Sequence, residues 1–203
     1  GPNKLASQLE GSKIFTKKLC ENLSIPTAKF GVFFNINEAE KFLKKCNYPI
    51  VIKADGLAAG KGVYISETNE DAKMAVKEIF EGKFGKAEQL LIEEFLDGEE
   101  MSFFIISDGK SYKQFGTAQD HKRVLEGDKG KNTGGMGAYS PSRLENKLLN
   151  KKIIQKIIEP TLKGLKENNI RFRGFLYAGL MVIKNEPFLI EYNVRMGDPE
   201  CQT

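Results

Sequence analysis

One segment of the chain combines apolar residues, lysine and glycine in an order that can bind a phosphate group. Residues 50–66 read IVIKADGLAAGKGVYIS. Lys53 and Asp55 are two positions apart in a predicted strand, so we expect their side chains to share one face. The loop that follows carries three glycines and a lysine, namely Gly56, Gly60, Lys61 and Gly62. Because glycine lets backbone N–H groups approach an anion closely, this loop predicts a nucleotide phosphate site. A glycine-rich hairpin with solvated lysines is the alternative.

The spacing of these glycines excludes two common nucleotide-binding motifs. A P-loop has four residues between its first glycine and the Gly-Lys pair, followed by Ser or Thr. Here three residues separate Gly56 from Gly60, and Gly62 occupies the position of the hydroxyl residue. No G-x-G-x-x-G follows a predicted strand, which argues against a dinucleotide-binding fold.

A second set of polar residues lies at the end of the last predicted strand. Glu191 and Asn193 flank Tyr192 and therefore share one face of that strand. Carboxylate and amide oxygens suit Mg²⁺, which usually binds only a few protein oxygens. Substrate phosphates commonly complete its coordination shell. Arg195 has the fork geometry for phosphoryl oxygens, and Asp198 could hold a second ion or the acceptor. The alternatives are an exposed polar strand face and two surface salt bridges.

Two further segments have the composition of ligand-binding loops. Glu93, Glu94, Phe95 and Leu96 leave an apolar strand and lead to a turn that contains Glu100. The backbone of such a strand edge can bind an adenine while a carboxylate accepts the ribose hydroxyls; an acidic hairpin is the alternative. Residues 118–141 form a long, glycine-rich segment of the kind that is usually functional. Its candidate substrate-binding residues are Asp120, His121, Lys122, Asn132, Thr133 and Gly134.

His121 is the only histidine of the chain. No serine lies in a G-x-S-x-G context, which argues against a serine hydrolase. An exposed, non-catalytic histidine and a general base both remain interpretations of His121.

Composition limits the partners that the chain can have. With 203 residues, of which 40% are hydrophobic, the chain can form one large domain or two small lobes. Its net charge of +4 is spread along the sequence, which favours small anionic ligands over nucleic acid. No apolar stretch has transmembrane length and no signal peptide is recognisable, so we predict no membrane contact and a cytoplasmic location. The widely spaced Cys20, Cys46 and Cys201 predict free thiols.

Periodicity predicts alternating groups of helices and strands. The predicted helices cover residues 12–24 and 38–46, a segment after Thr68, and a segment after Ser142 that Pro160 must kink. Predicted N-terminal capping pairs are Asn37 with Glu40, Thr68 with Asp71, and Ser142 with Glu145. The predicted strands cover residues 49–54, 63–66, 89–95, 100–107, 111–116, 174–184 and 187–193. Because the sequence stops directly after a motif-dense strand, we expect a central portion of a longer protein.

Seven segments, taken in order, resemble the ATP-grasp family and, within it, the phosphoribosylamine–glycine ligases. They are LEGSKIFTKKL at 9–19, YPIVIKADGLAAGKGV at 48–63, IEEFLDGEEMS at 92–102, AQDHKR at 118–123, NTGGMGAYSP at 132–141, LYAGLMV at 176–182 and IEYNVRMGDPECQ at 190–202. The resemblance implies an α+β fold with two lobes, each a mainly antiparallel sheet with packed helices, and a nucleotide between them. It divides the chain into a link from an amino-terminal lobe (1–25), a small lobe (26–94) and a large lobe (95–203).

The resemblance also implies an activity, which is ATP-dependent ligation of glycine to 5-phosphoribosylamine through a glycyl phosphate. Another ATP-grasp carboxylate–amine ligase and a nucleotide-binding module without chemistry are the alternatives. The amino- and carboxy-terminal lobes of the family have no counterpart in the sequence, and Lys131 stands where the family has proline.

By position, the resemblance gives roles to individual residues. Lys13 and Lys53 would hold the ATP phosphates, under a lid formed by residues 56–63, which include Gly60, Lys61 and Gly62. Glu93, Glu94, Phe95 and Leu96 would bind the adenine, and Glu100 the ribose. Glu191 and Asn193 would bind Mg²⁺ or Mn²⁺. Arg195 and Asp198 would be catalytic.

Overall fold

The computed structural model describes residues 1–57, 62–121, 123–126, 129–133 and 135–203, with backbone only for residues 123 and 129–132. The strands in chain order are β1 (Phe30–Phe33), β2 (Ile50–Ala54), β3 (Val63–Ser66), β4 (Leu90–Glu94), β5 (Glu99–Ser107), β6 (Tyr112–Asp120), β7 (Arg123–Leu125), β8 (Lys129–Asn132), β9 (Ala138–Tyr139), β10 (Gly174–Ile183) and β11 (Glu186–Asn193). The α-helices are α1 (Gln8–Gly11), α2 (Lys13–Asn22), α3 (Ile36–Leu43), α4 (Asn69–Phe80), α5 (Lys147–Ile153) and α6 (Glu159–Glu167). A short 3₁₀ helix covers Glu200–Gln202.

The first lobe is an antiparallel sheet with strand order β1-β4-β2-β3, on which α3 and α4 pack. Helix α4 begins as predicted, because Thr68 accepts a hydrogen bond from the backbone N–H of Asp71. It ends at Phe80, and Gly82 follows two residues later with a φ of +89°, a conformation that glycine adopts without steric cost. The N-cap predicted at Asn37 with Glu40 is wrong, since α3 begins earlier, where Asn35 accepts from the N–H of Glu38.

The second lobe is a five-stranded antiparallel sheet with strand order β11-β10-β5-β6-β9. Its core also contains Ala6, Leu9, Leu19 and Cys20 from the first part of the chain. Helices α1 and α2 therefore pack on the large lobe. The two sheets, each with its helices, confirm the predicted α+β architecture. The division of the chain at residues 25 and 94 stays a prediction.

The long segment after residue 118 contains more regular structure than its composition predicts. Strand β6 extends to Asp120, and the short strands β7, β8 and β9 follow it. The N-cap predicted at Ser142 with Glu145 is wrong, because Asn146 caps α5 by accepting from the N–H of Leu149. Ser142 and Glu145 bind β6 instead, through Gln119 and Thr117 respectively. Side chains that look like caps in the sequence thus fasten this segment to the sheet.

The predicted interruption at Pro160 takes the form of a π-helical turn. Residues Ile154–Ile158 form this turn between α5 and α6. Proline lacks the N–H that an α-helix needs at this point, and a wider turn absorbs the missing bond. Among the helices that the structure describes, none has the length and apolar character needed to cross a membrane.

The lobes are joined where the chain passes from α2 to β1. Leu189 of β11 donates its N–H to the carbonyl of Pro26 over 2.8 Å. The hydroxyl of Thr27 donates to the carbonyl of Leu189 over 2.6 Å. This crossing ties the small lobe to the last strand of the large lobe, and the two sheets face each other across a cleft.

Candidate functional site

The cleft contains three adjoining cavities of about 340, 290 and 760 Å³. All three share Val63, Asp120 and Ile190 in their walls. The site is therefore continuous, and it draws residues from β3 of the small lobe and from β6 and β11 of the large lobe.

The 290 Å³ cavity is lined by the segment predicted to bind adenine, which is residues 93–96, together with Glu100 and Lys53. Its apolar walls come from both lobes and include Val51, Val63, Ile65, Met181 and Leu189. Apolar walls with a few polar groups at the rim suit a planar base. The Glu94 carboxylate accepts from the N–H of Lys29 over 2.9 Å. Its side chain therefore supports the start of β1.

Glu93 is the centre of a buried ionic cluster between the cavities. Its Oε2 lies 3.1 Å from Lys53 Nζ and 3.4 Å from Lys17 Nζ. Glu93 is 5% exposed and Lys17 is 1% exposed. Burial lowers the pKa of Lys17, and the charge of Glu93 opposes that shift. Among the described residues, Glu93 Oε1 is buried without a hydrogen-bond partner, so it is available to a ligand donor.

Lys13 bridges the two lobes at the phosphate end of the predicted site. Its Nζ donates to the carbonyls of Ala54 (3.0 Å) and Gly56 (2.8 Å). Burial lowers the pKa of Lys13, and the charge of Glu191 is the largest opposing effect. Lys13 and Glu191 both line the 340 Å³ cavity. A cation at the start of α2 thus faces the predicted metal ligand.

Strand alternation predicts that Asp55 shares one face of the strand with Lys53, but the structure does not have this arrangement. Strand β2 ends at Ala54, so the alternation stops before Asp55. Its carboxylate accepts from the hydroxyl of Ser12 (3.1 Å) and from the N–H of Ile14 (3.2 Å). Asp55 therefore stabilises the N-terminus of α2, where a negative charge is favourable.

The predicted metal ligands lie together on β11. Glu191 and Asn193 line the 340 Å³ cavity with Arg195 and Asp198. Arg195 Nη2 donates to Asn193 Oδ1 over 3.3 Å. Asp198 is exposed and accepts from Gln202 over 3.2 Å. One carboxylate and one amide oxygen fit a hard cation that takes further oxygens from phosphates and water. Among the described residues, no group of three or more His, Cys, Asp or Glu could hold a metal.

The predicted substrate-binding residues are distributed over the cleft. Asp120 lines all three cavities and Thr133 lines the 760 Å³ cavity. His121 is exposed, lines the 290 Å³ cavity and stacks on Tyr139 with ring centroids 5.7 Å apart. Gly62 lines the 340 Å³ cavity. The predictions for Gly60, Lys61, Lys122 and Gly134 lie outside the described residues, and for Asn132 only the backbone is described.

Sequence reasoning missed three charged residues of the site, which are Glu10, Lys17 and Glu200. Glu10 accepts from Arg195 and from the backbone of Val194. Glu200 is buried and accepts from Ser102 over 2.8 Å. For Glu10 and Lys17 the available signal was their place in the first quoted segment, and for Glu200 its place in the last.

Two antiparallel lobes around a cleft, with lysines facing a Glu and Asn pair, define the class as an ATP-grasp domain. The family model described as phosphoribosylglycinamide synthetase, ATP-grasp (A) domain, matches residues 11–201. The chain belongs to this family.

Several known proteins resemble the chain over its whole length. The phosphoribosylamine–glycine ligase of Mesorhizobium japonicum is 52% identical over 203 residues, which is all of this chain and 48% of that protein. The chloroplastic phosphoribosylamine–glycine ligase of Arabidopsis thaliana is 51% identical over 206 residues and is covered to 39%. The chain therefore spans half or less of the length of these curated relatives.

Solved structures give the same result for the fold. The phosphoribosylamine–glycine ligase of Thermotoga maritima superposes with a TM-score of 0.91 at 39% identity, over 98% of this chain and 51% of that one. The D-alanine–D-alanine ligase of Bacillus anthracis complexed with ATP has a TM-score of 0.67 at 19% identity, over 95% of this chain and 57% of that one. The second likeness concerns the fold alone.

Proposed function

We propose that this chain is the ATP-binding portion of an enzyme that ligates glycine to 5-phosphoribosylamine, with release of ADP and phosphate. The observation that carries the proposal is the continuous cleft whose walls contain Lys13 and Lys53 as well as Glu191 and Asn193. Membership of the phosphoribosylglycinamide synthetase family supports this choice of substrates. The wider statement, that the chain serves a carboxylate–amine ligase, rests on the cleft together with the same family membership.

The 290 Å³ cavity, called the adenine-side cavity from here on, would hold the base between apolar residues of both lobes. The unpartnered Glu93 Oε1 can accept a hydrogen bond from an exocyclic amino group. Backbone groups of residues 95 and 96 would contact the ring nitrogens, and Glu100 would contact the ribose. These contacts would fix the nucleotide so that its phosphates extend towards Lys13 and Glu191.

The phosphate end would neutralise and orient charge. Lys13 and Lys53 supply positive charge near the end of β2, and Arg195 supplies it on the side of β11. Glu191 and Asn193 would hold Mg²⁺ or Mn²⁺, which when bound polarises phosphoryl oxygens. A carboxylate is a poor electrophile, and transfer of the γ-phosphoryl group to glycine gives a glycyl phosphate with a good leaving group. The residues of the chain mainly position the reactants and stabilise charge in this step.

The acyl phosphate must be kept from water until the amine attacks it. The segment that begins at Gly56 lines the 340 Å³ cavity through Gly56, Leu57, Gly62 and Val63. The place of these four residues in the cavity wall supports the prediction that residues 56–63 form a lid. Asp120 and Thr133 line the 760 Å³ cavity, which has room for the two small substrates. A cytoplasmic location stays part of the proposal, beside an Arabidopsis thaliana relative that is named chloroplastic.

Two measurements test the proposal. The first is calorimetric titration of the chain with a non-hydrolysable ATP analogue, with and without Mg²⁺, where we expect metal-dependent binding. The second follows ADP release by a full-length enzyme that contains this sequence, with different acids and amines. Release that requires both glycine and 5-phosphoribosylamine supports the proposal. Release with another pair indicates a different ligase, and binding without any release indicates a module that only binds nucleotide.

A further inference from the structure

Glu10 reaches from α1 to the end of β11 and makes two hydrogen bonds there. Its Oε2 accepts from the backbone N–H of Val194 over 2.9 Å. Its Oε1 accepts from Arg195 Nε over 3.0 Å. One carboxylate thus holds both the main chain directly after Asn193 and the guanidinium group next to it.

The backbone that carries Glu10 is well anchored. Leu9 is buried in the core of the large lobe. The carbonyl of Leu9 accepts from the buried hydroxyl of Thr16 over 2.8 Å, which fixes α1 against α2. The side chain of Glu10 is 16% exposed, whereas that of Arg195 is 56% exposed. Water screens the arginine side of the pair. The ion pair therefore contributes more to the orientation of the guanidinium than to the stability of the fold.

The contact with Glu10 restricts where the rest of the guanidinium can point. Arg195 uses Nε for Glu10, Nη1 for the carbonyl of Met196 over 3.0 Å, and Nη2 for Asn193 Oδ1 over 3.3 Å. Asn193 Oδ1 is the amide oxygen that the proposed function assigns to the metal. A group fixed by Glu10 therefore contacts a proposed metal ligand directly.

We propose that Glu10 is a positioning residue for the triphosphate end of the site. It sets the direction of the chain after β11 and the plane of the Arg195 guanidinium, and through them the amide of Asn193. The inference rests on the proposed function of the cleft. Glutamine has nearly the same shape but one carbonyl oxygen, so in Glu10→Gln an NH₂ group faces one of the two donors.

The test uses the 203-residue chain and two probes. For a non-hydrolysable ATP analogue with Mg²⁺, we expect Glu10→Gln to raise Kd about tenfold. For adenosine, whose binding needs only the adenine-side cavity, we expect an unchanged Kd. Glu186→Gln is the matched control, because Glu186 begins the same strand and binds Lys152 and Lys156 outside the cleft. We expect this control to leave both Kd values unchanged.

A double-mutant cycle separates positioning from general support of the fold. Because Glu10 acts partly through Arg195 and partly through the main chain at Val194, Glu10→Gln should add a smaller loss to Arg195→Met than it causes in the wild-type chain. Three results would each overturn the inference. They are additive losses of analogue affinity in the double variant, an equal loss of affinity for adenosine in Glu10→Gln, and an unchanged Kd of Glu10→Gln for the ATP analogue. If the glutamine variant does not fold, the same two Kd values are measured for Glu10→Asp, which keeps the charge but is one methylene shorter. The proposed function itself is overturned if the wild-type chain binds adenosine but shows no Mg²⁺-dependent binding of the ATP analogue.

Discussion

Replacing Glu93 by glutamine tests whether the buried ionic cluster is balanced as its geometry indicates. The cluster contains one carboxylate and two ammonium groups, of Lys17 and Lys53, at 3.4 and 3.1 Å from the same oxygen. Glutamine keeps the shape of the side chain but removes the negative charge. Glu93→Gln therefore leaves two buried lysines without their counter-ion.

The expected magnitude follows from these distances. At an effective dielectric of about 20, each lysine is attracted to the carboxylate by about 5 kcal/mol before desolvation is subtracted. The two ammonium groups are at most the sum of the two distances apart, about 6.5 Å. They repel each other by about 2.5 kcal/mol or more on the same scale. Removing one partner of a buried ion pair typically costs about 3–5 kcal/mol. We expect a loss of about 4 kcal/mol in the free energy of unfolding.

Lys17→Met gives the comparison. It leaves Glu93 and Lys53 as a neutral pair, although the bonds that Lys17 donates to the hydroxyl of Thr27 and the carbonyl of Ala28 are lost. We expect a loss of about 2 kcal/mol for this variant. In the double variant Lys53 is the only lysine of the cluster that remains, so it is not repelled by a second unpaired ammonium group. Its total loss should therefore be smaller than the two single losses added.

Urea-induced unfolding, followed by circular dichroism at neutral pH, measures all four proteins. A loss below about 1 kcal/mol for Glu93→Gln would refute the reasoning, because a surface pair has that value. Additivity within about 0.5 kcal/mol would also refute it, since independent sites behave in that way.

Three further outcomes are expected. In a full-length enzyme, Lys53→Ala and Glu191→Ala should each lower turnover at least ~100-fold, or roughly 2.7 kcal/mol, with the fold intact. Burial raises the pKa of the Cys20 thiol from 9.0 to about 12. The unfolded chain therefore loses this proton first as pH rises, and the wild type should lose about 1.4 kcal/mol more stability than Cys20→Ala between pH ~8 and ~10. Gly98→Ala should destabilise the chain by about 1–3 kcal/mol, because its Cβ would lie 2.6 Å from the carbonyl oxygen of Val182.

Each of these expectations has a control or a contrary result. Near-wild-type turnover in either alanine variant removes that residue from the proposed site. Equal pH profiles of the wild type and Cys20→Ala would contradict the role given to the thiol. Gly116→Ala is the control for Gly98→Ala, since a Cβ at Gly116 meets nothing within 4 Å. Thermal unfolding should separate these two glycine variants.

The elements that sequence predicts best are those in which local pattern and tertiary environment agree. Strand β2 is an apolar run and helix α4 has both its cap and its glycine stop, and the structure has both where expected. Strand β1 was missed because its four residues are all partly buried and carry no alternation. The caps at Asn37 and Ser142 were misplaced because several polar residues precede each helix and any of them could serve as the cap.

The site divides in the same way. Glu191 and Asn193 could be predicted because a strand brings them to one face within three residues. Local pattern does not single out Lys17 and Glu10, since charged residues near a helix are usually solvated. What makes them part of the site is contact with residues far away in the chain. Glu10 and Val194 are 184 positions apart, and local pattern carries no information about such a pair.

The attachment of Lys13 to the end of β2 has a mechanical consequence. Lys13 belongs to a helix packed in the large lobe, yet its ammonium is bound to Ala54 and Gly56, and Asp55 holds the start of the same helix. Lys53 lies one residue before this joint. A rotation of one sheet relative to the other would therefore pivot close to both lysines and change their mutual spacing very little. The two lysines can therefore keep a nearly constant separation at different angles between the two sheets. This separation keeps their match to a polyphosphate.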